Sequence, residues 1–202
     1  MTPLAKATLT ANEAAIVTRV PVRQVHRIID AGVLPLARGS RTIRRNALVG
    51  LRLAYLTAGT LTLVARKRVI ARVVKHTDTE TIAEEAIIIP LKPIIADVEQ
   101  GLDRLEKAKA LVRIDSEIMG GTPCIEGTRI PVHMIADMAA KGESEAALLA
   151  AYPSLSAEQI RLAGIYAEAY PLRGRPPLRM PAWLRKAPKT TSRLNIRDLP
   201  GS

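Results

Sequence analysis

Apolar and polar residues recur at helical spacing through the first part of the chain. They predict a short helix over residues 10–17, where Thr10 and Glu13 have the spacing of a capping box. After a turn, a second helix is predicted over residues 22–31, and Gly32 is the expected residue beyond its end. This order of short helix, turn and second helix is typical of a helix-turn-helix.

The second predicted helix has two different sides. Its apolar side is formed by four residues: Val22, Val25, Ile28 and Ile29. Its polar side and the turn before it carry the candidate DNA-binding residues: Arg19, Arg23, Gln24 and Arg27. We therefore expect this helix to lie in the major groove and to contact base edges.

A hairpin is predicted next, with residues 34–38 and 41–45 paired around Gly39 and Ser40. It is followed by a third helix over residues 47–58, for which Asn46 is the expected cap. The hairpin carries four further DNA-binding candidates: Arg38, Arg41, Arg44 and Arg45. Arginines on such a ribbon would hold phosphates while the helix reads bases.

Residues 7–57 resemble, at the level of this pattern, the winged-helix domain of MerR-type regulators. The resemblance implies a winged helix-turn-helix DNA-binding domain over residues 1–60. The alternative is a small helical domain whose charges are only solvated.

Residues 61–112 are predicted to form a helical linker with a short strand. A helix is expected over residues 62–76, a strand over 86–90 and an amphipathic helix over 93–111. The last helix either forms a dimer seam or covers the core of its own chain.

Residues 113–170 contain a loop followed by three predicted helices. Gly120 and Gly121 favour a tight turn between two short strands, since glycine adopts positive φ readily. The helices are expected over residues 132–140, 144–152 and 156–170. Three short helices in so few residues indicate a second helix-turn-helix-like bundle.

The most specific motif is Ile118-Met-Gly-Gly-Thr-Pro-Cys-Ile-Glu-Gly-Thr-Arg-Ile-Pro-Val132, followed by Tyr152-Pro-Ser-Leu-Ser156. Residues 113–170 thereby resemble the prokaryotic family called domain of unknown function four-three-three, which itself resembles VapB-type antitoxins. The resemblance implies a homeodomain-like three-helix domain. It also implies an antitoxin partnered with a PIN-like ribonuclease toxin.

No catalytic or metal-binding constellation emerges from the sequence. Cys124 has no histidine placed to activate it, so we expect a buried cysteine rather than a nucleophile. We expect Arg129 to fasten its loop to Asp115 or Glu117, and the alternative is a functional contact. The sequence therefore predicts no enzyme, no metal and no cofactor.

Charge divides the chain more sharply than composition does. The net charge is +11, and residues 1–60 and 171–202 each carry +7, whereas residues 113–170 carry −4. Two separate basic segments indicate two different acidic or polyanionic partners. The aromatic content is very low, with no Phe, one Trp and four Tyr, so we expect aliphatic cores.

Residues 171–202 combine six prolines with eight lysines and arginines, which predicts an extended basic tail. The tail also holds apolar residues and the one tryptophan, a frequent interface anchor. The candidate toxin-binding residues are Arg173, Arg175, Arg179, Trp183, Leu184 and Arg185. One of the three leading arginines is expected to pair with the carboxylates of the toxin. The alternative is a basic arm that contacts nucleic acid nonspecifically.

Together these features predict a mainly α fold with short β elements: a winged helix-turn-helix, a central linker, a homeodomain-like three-helix domain and the tail. The expected function is that of a type II toxin–antitoxin antitoxin that inhibits a PIN-like ribonuclease and represses its own operon. The alternative is a stand-alone MerR-like transcription regulator without a toxin. Partners would be operator DNA and a second copy of the chain, with a toxin-containing heterotetramer as a further form. No membrane segment or signal peptide is expected, and the single cysteine favours the cytoplasm.

Overall fold

The computed structural model describes residues 8–37, 39–76, 80–84 and 87–172, and these are mainly helical with short antiparallel strands. In chain order the elements are β1 (Thr8–Leu9), α1 (Ala11–Thr18), α2 (Val22–Asp30), β2 (Ile43–Arg44), α3 (Leu48–Leu56), α4 (Leu63–Lys75), β3 (Thr81–Glu84), β4 (Ile87–Pro90), α5 (Lys92–Ala110), β5 (Val112–Arg113), β6 (Cys124–Ile125), α6 (Val132–Ala140), α7 (Glu145–Ala151) and α8 (Ala157–Ala169). The strands pair as β1–β2, β3–β4 and β5–β6, each antiparallel. All of these elements lie in one compact unit that ends at Pro171.

The ends of α1 and α2 follow the signals in the sequence. The Thr10 hydroxyl accepts a hydrogen bond from the Glu13 amide, and the Glu13 carboxylate accepts one from the Thr10 amide. Gly32, with φ of +60°, follows α2, and its amide donates to the carbonyl of Ile29 at 2.9 Å. The predicted capping box and the glycine stop are therefore confirmed.

The predicted hairpin of residues 34–45 is wrong. Neither 34–37 nor 39–42 forms a strand, and β2 pairs instead with β1, so that Ile43 lies opposite Leu9. Both of these side chains are buried, whereas Pro35 has no amide to contribute to a ladder. Burial of Ile43 therefore decides which segment β2 joins.

The start of the third helix also differs from the prediction. A short 3₁₀ turn over Arg45–Ala47 precedes α3, and no side chain caps it. The Asn46 amide donates instead to the carbonyl of Val74 at the end of α4, at 3.5 Å. Asn46 thus connects two helices rather than opening one.

Two hydrophobic clusters fill the unit, and both are aliphatic apart from tyrosines. The first gathers buried residues from α1 to α5 together with Ala169 at the end of α8, and the second gathers α6 to α8 with the last turn of α5 and Ile125 of β6. Leu105 belongs to the first cluster and Ala108 to the second, so α5 spans both. The division of the chain at residues 60, 112 and 170 stays a prediction.

The apolar face of α5 is covered within its own chain. Val98, Leu102 and Leu105 are buried, and Gly101 lies directly against α1. A Cβ at Gly101 would come within 2.1 Å of the carbonyl oxygen of Val17. This helix therefore covers its own core, the second of the two alternatives that the sequence left open.

Candidate nucleic-acid interface

The outer side of α2 is the exposed cationic surface that the sequence predicted. Val25 and Ile28 are buried against the first cluster. Arg23 and Arg27 on the opposite side are exposed, and Gln24 is half-buried. The helix is thus held by its apolar side and leaves its cations accessible to a polyanion.

The turn before α2 holds Arg19 in a left-handed backbone conformation, with φ of 51°. Its guanidinium donates to the side-chain oxygen of Gln100 at 3.2 Å, and its carbonyl accepts from Arg52 at 3.3 Å. Because Gln100 is neutral, the positive charge of the exposed Arg19 is not cancelled. Arg19 therefore adds charge beside the start of α2.

The arginines of the mispredicted hairpin remain accessible. Arg41, Arg44 and Arg45 are exposed, and Arg38 lies outside the described residues. Within the described ranges none of these three arginines forms an ion pair. The ribbon geometry is lost, but the cations stay at the surface.

Sequence reasoning missed a cation in α4, which was assigned to the linker. A Cβ placed at Gly32 would lie 3.7 Å from the Nζ of Lys67, so this exposed lysine sits beside the end of α2. A cation there also suits the negative end of the helix dipole. Only the packing of α4 onto the first cluster brings Lys67 to this place.

Other cations of α4 are engaged within the chain. Arg66 donates to the carbonyl of Ala54 at 2.6 Å, at the end of α3. Arg68 and Arg72 both donate to the buried carboxylate of Glu84 on β3, the first at 2.6 Å. These arginines hold α4 in place.

A buried polar junction joins α1 to the end of α8. The Glu13 carboxylate accepts a hydrogen bond from the Tyr170 hydroxyl, and the Nζ of Lys109 lies 3.5 Å away. Burial raises the pKa of Glu13, but the hydrogen bonds from Thr10 and Tyr170 and the charge of Lys109 lower it below its ordinary value of 4.5. Burial and the neighbouring Glu13 raise the pKa of Tyr170.

His133 extends this junction into α6. Its Nε2 lies 2.8 Å from the carbonyl oxygen of Tyr170, so this nitrogen carries the proton and donates. Its ring meets that of Tyr166 edge-on, with centroids 5.8 Å apart. His133 of α6 therefore contacts the residue after α8, Tyr170, which in turn donates to Glu13 of α1.

Three predictions concern the loop between β5 and α6: a tight turn, a buried cysteine and a contact of Arg129. Gly120 and Gly121 have φ of 63° and 81°, which confirms the predicted turn between two short strands. Cys124 is buried, as expected. The predicted anchor from Arg129 is wrong, because Asp115 pairs with Arg113 at 3.2 Å while Arg129 is exposed.

The six candidate toxin-binding residues, from Arg173 to Arg185, lie outside the described residues. Within the described ranges no three His, Cys, Asp or Glu side chains come together as a metal-binding group. None of the described helices has both the length and the apolar character needed to cross a bilayer.

Comparisons with known proteins place the second three-helix region in a family. The family model described as "Protein of unknown function (DUF433)" matches residues 112–167, which run from β5 into α8. A relative from Sinorhizobium fredii (strain NBRC 101917 / NGR234), "Uncharacterized protein y4eO", is 39% identical over 184 residues, which cover 83% of each chain. This chain belongs to the DUF433 family. No solved structure matches it. The DUF433 match leaves out α1 to α4, so the cationic surface of α2 lies outside the matched residues.

Proposed function

We propose that this DUF433 protein is a DNA-binding transcription regulator that contacts duplex DNA through the exposed side of α2. The observation that carries the proposal is the exposure of Arg23 and Arg27 on a helix held by buried Val25 and Ile28. The exposed cations around it, Arg19, Arg41, Arg44, Arg45 and Lys67, would bind phosphates. In this proposal α1 and α2 act as a helix-turn-helix, and a dimer presents two copies of α2 to two half-sites.

Binding of the protein to the DNA upstream of its own gene tests this proposal. The double variant Arg23→Gln/Arg27→Gln is expected to weaken binding about tenfold or more in fluorescence anisotropy. The matched control, Arg129→Gln/Arg161→Gln, removes the same charge from two exposed arginines of the DUF433 region. Equal losses in both variants, or wild-type binding by the α2 variant, would contradict the role of α2.

We further propose that the protein is the antitoxin of a type II toxin–antitoxin pair, with α6 to α8 as a homeodomain-like domain. The motif of residues 118–132 supports this proposal, because it resembles a family that itself resembles VapB-type antitoxins. The composition of residues 171–202 supports it as well, since six prolines, eight cations and Trp183 suit a segment that binds along an acidic nuclease. The partner would be a PIN-like ribonuclease, inhibited by an arginine of the tail.

Co-expression with the product of the neighbouring gene tests the antitoxin proposal. We expect a stable complex with the full chain, strong weakening by Trp183→Ala and loss on truncation after Tyr170. The DNA affinity of Trp183→Ala should stay at the wild-type level. If no complex forms while DNA binding is intact, the protein is the alternative, a stand-alone transcription regulator.

A further inference from the structure

The stretch from Ala31 to Thr77 contains ten lysines and arginines and no aspartate or glutamate. It covers β2, α3 and α4 and the loops between them. A run of this length without acids leaves nothing within it to neutralise its cations. The surface that these residues form is therefore suited to a polyanion.

Part of this charge is used inside the protein and part is not. Arg66 is engaged with a backbone carbonyl, Arg68 and Arg72 share Glu84, and Arg52 lies 4.0 Å from Asp97. The cations left exposed and without an ion pair among the described residues are Arg41, Arg44, Arg45, Lys67 and Lys75. Among them, Arg44 lines a cavity.

That cavity has a volume of about 440 Å³ and lies between Pro35, Leu36, Ala37, Ser40 and Thr42 on one side and β2 and the end of α4 on the other. Five polar residues line it, Thr8, Ser40, Thr42, Arg44 and Asn46, together with five apolar ones, Pro35, Leu36, Ala37, Ala47 and Val74. The lining contains one cation, three hydroxyls and one amide, and no carboxylate. These are the side chains that contact phosphate and sugar oxygens in protein–DNA complexes.

Hydrogen bonds involve three of these polar side chains, those of Ser40, Thr42 and Asn46. The hydroxyls of Ser40 and Thr42 lie 3.0 Å apart, and the Thr42 amide donates to the Ser40 hydroxyl at 3.3 Å. The Asn46 amide donates to the carbonyl of Val74 and keeps a second N–H for a ligand. Arg44 lies on β2, which Thr8 pairs with in the backbone ladder.

We propose that this groove binds one sugar–phosphate segment of the DNA backbone, with Arg44 contacting the phosphate and Thr42 and Asn46 contacting its oxygens. The proposal rests on the proposed DNA-binding function and adds a backbone contact to it. The cavity is large for a free phosphate ion, and the exposed Arg41 and Arg45, which form no ion pair among the described residues, lie three residues and one residue from Arg44 in the sequence. Both features favour a polymer over a small anion.

The test is the affinity for a short fluorescein-labelled duplex of mixed sequence, measured by anisotropy over a series of salt concentrations. Thr42→Val removes a hydroxyl without changing charge and is expected to weaken binding about threefold to tenfold. Thr60→Val, the same change at an exposed threonine outside the groove, should bind as the wild type does. Arg44→Gln should also lower the slope of log affinity against log salt by about 0.9, the value of one phosphate contact.

Three other outcomes would each contradict the groove proposal, and one of them would also contradict the proposed function. If Thr42→Val and Arg44→Gln bind as the wild type does, while Arg23→Gln/Arg27→Gln weakens binding, the groove proposal fails and the proposed function stands. If the wild type does not bind any duplex, both fail. If calorimetry shows that inorganic phosphate binds the wild type but not Arg44→Gln, while their duplex affinities are equal, the groove is a small-anion site and the proposal is wrong.

Discussion

Residues 8–56 and residues 112–169 are two regions built from the same local parts. Each has a pair of two-residue antiparallel strands and three short helices around a largely aliphatic cluster. Each also has one complete capping box, on α1 and on α8. Their charges are opposite, since residues 8–56 carry +6 and residues 112–169 carry −4. The two aliphatic clusters are therefore alike, and the net charge distinguishes the two regions.

The two capping boxes differ in burial and in the number of contacts that their side chains make. In α8, the exposed Ser156 and the half-buried Gln159 form hydrogen bonds with each other: the side chain of each accepts from the backbone amide of the other. In α1, Glu13 is buried, and its carboxylate accepts a hydrogen bond from Tyr170 and pairs with Lys109 in addition to its bond with Thr10. A motif that only opens a helix in one region thus also joins distant parts of the chain in the other.

The largest expected effect comes from Gly101→Ala, because its Cβ would overlap the backbone of α1 at Val17. Backbone cannot move aside as a side chain does, so we expect a loss of about 3 kcal/mol in the free energy of unfolding. Urea denaturation measures it.

The matched control for this change is Gly164→Ala in the middle of α8, where a new Cβ meets nothing within 4 Å. It should raise the free energy of unfolding by about 0.5 to 1 kcal/mol, since alanine favours a helix more than glycine does. Equal effects at the two glycines would show that α1 and α5 are not in close contact.

A second change, Glu13→Gln, removes the charge of the buried carboxylate and keeps its shape. We expect a loss of about 2 kcal/mol near neutral pH, because charged hydrogen bonds are stronger than neutral ones. The pKa of Glu13 is lowered in the folded protein, so its contribution is present above pH 4.5 and is lost as pH falls through the folded pKa.

The difference in unfolding free energy between the wild type and Glu13→Gln should therefore shrink below pH 4.5. Chemical denaturation across the acid range measures this difference. A difference that stays constant with pH would show that the charged Glu13 carboxylate does not stabilise the folded protein.

Local signals in the sequence predicted much of the secondary structure. The capping box at Thr10, the stop at Gly32 and the turn at Gly120 depend on neighbouring residues only, and the structure confirms them. The pairing of β2 with β1 was missed, because a two-residue strand carries no period and its partner is chosen by the burial of Ile43.

In the candidate interface, too, some features could be predicted from local sequence and others depend on tertiary packing. The exposure of Arg23 and Arg27 followed from the two-sided pattern of α2. The position of Lys67 did not, because it depends on how α4 packs, and no local signal encodes that packing. The hydrogen bond of Tyr170 to Glu13 spans 157 residues of sequence and was missed for the same reason.

A third change, Tyr170→Phe, removes the hydroxyl that donates to Glu13 and should cost about 1 kcal/mol. The pKa of Tyr170 is raised in the folded protein, so this contribution is present below pH 10.0 and falls as pH rises above it. The gap in unfolding free energy between wild type and variant should narrow in that range. A gap that widens with pH would contradict the hydrogen bond.

The smallest change, Ser156→Ala, compares the two capping boxes directly. Ser156 is exposed and the side chains of its box form no further hydrogen bond among the described residues, so we expect a loss of about 0.5 kcal/mol, the low end for a cap. Thr10→Ala in the other box removes one of the hydrogen bonds that position Glu13, and should cost about 1.5 kcal/mol. Thermal denaturation of the two variants gives the ratio. If Ser156→Ala costs as much as Thr10→Ala, burial at the junction adds nothing to the box of α1, and the contrast between the two regions is then one of surface charge alone.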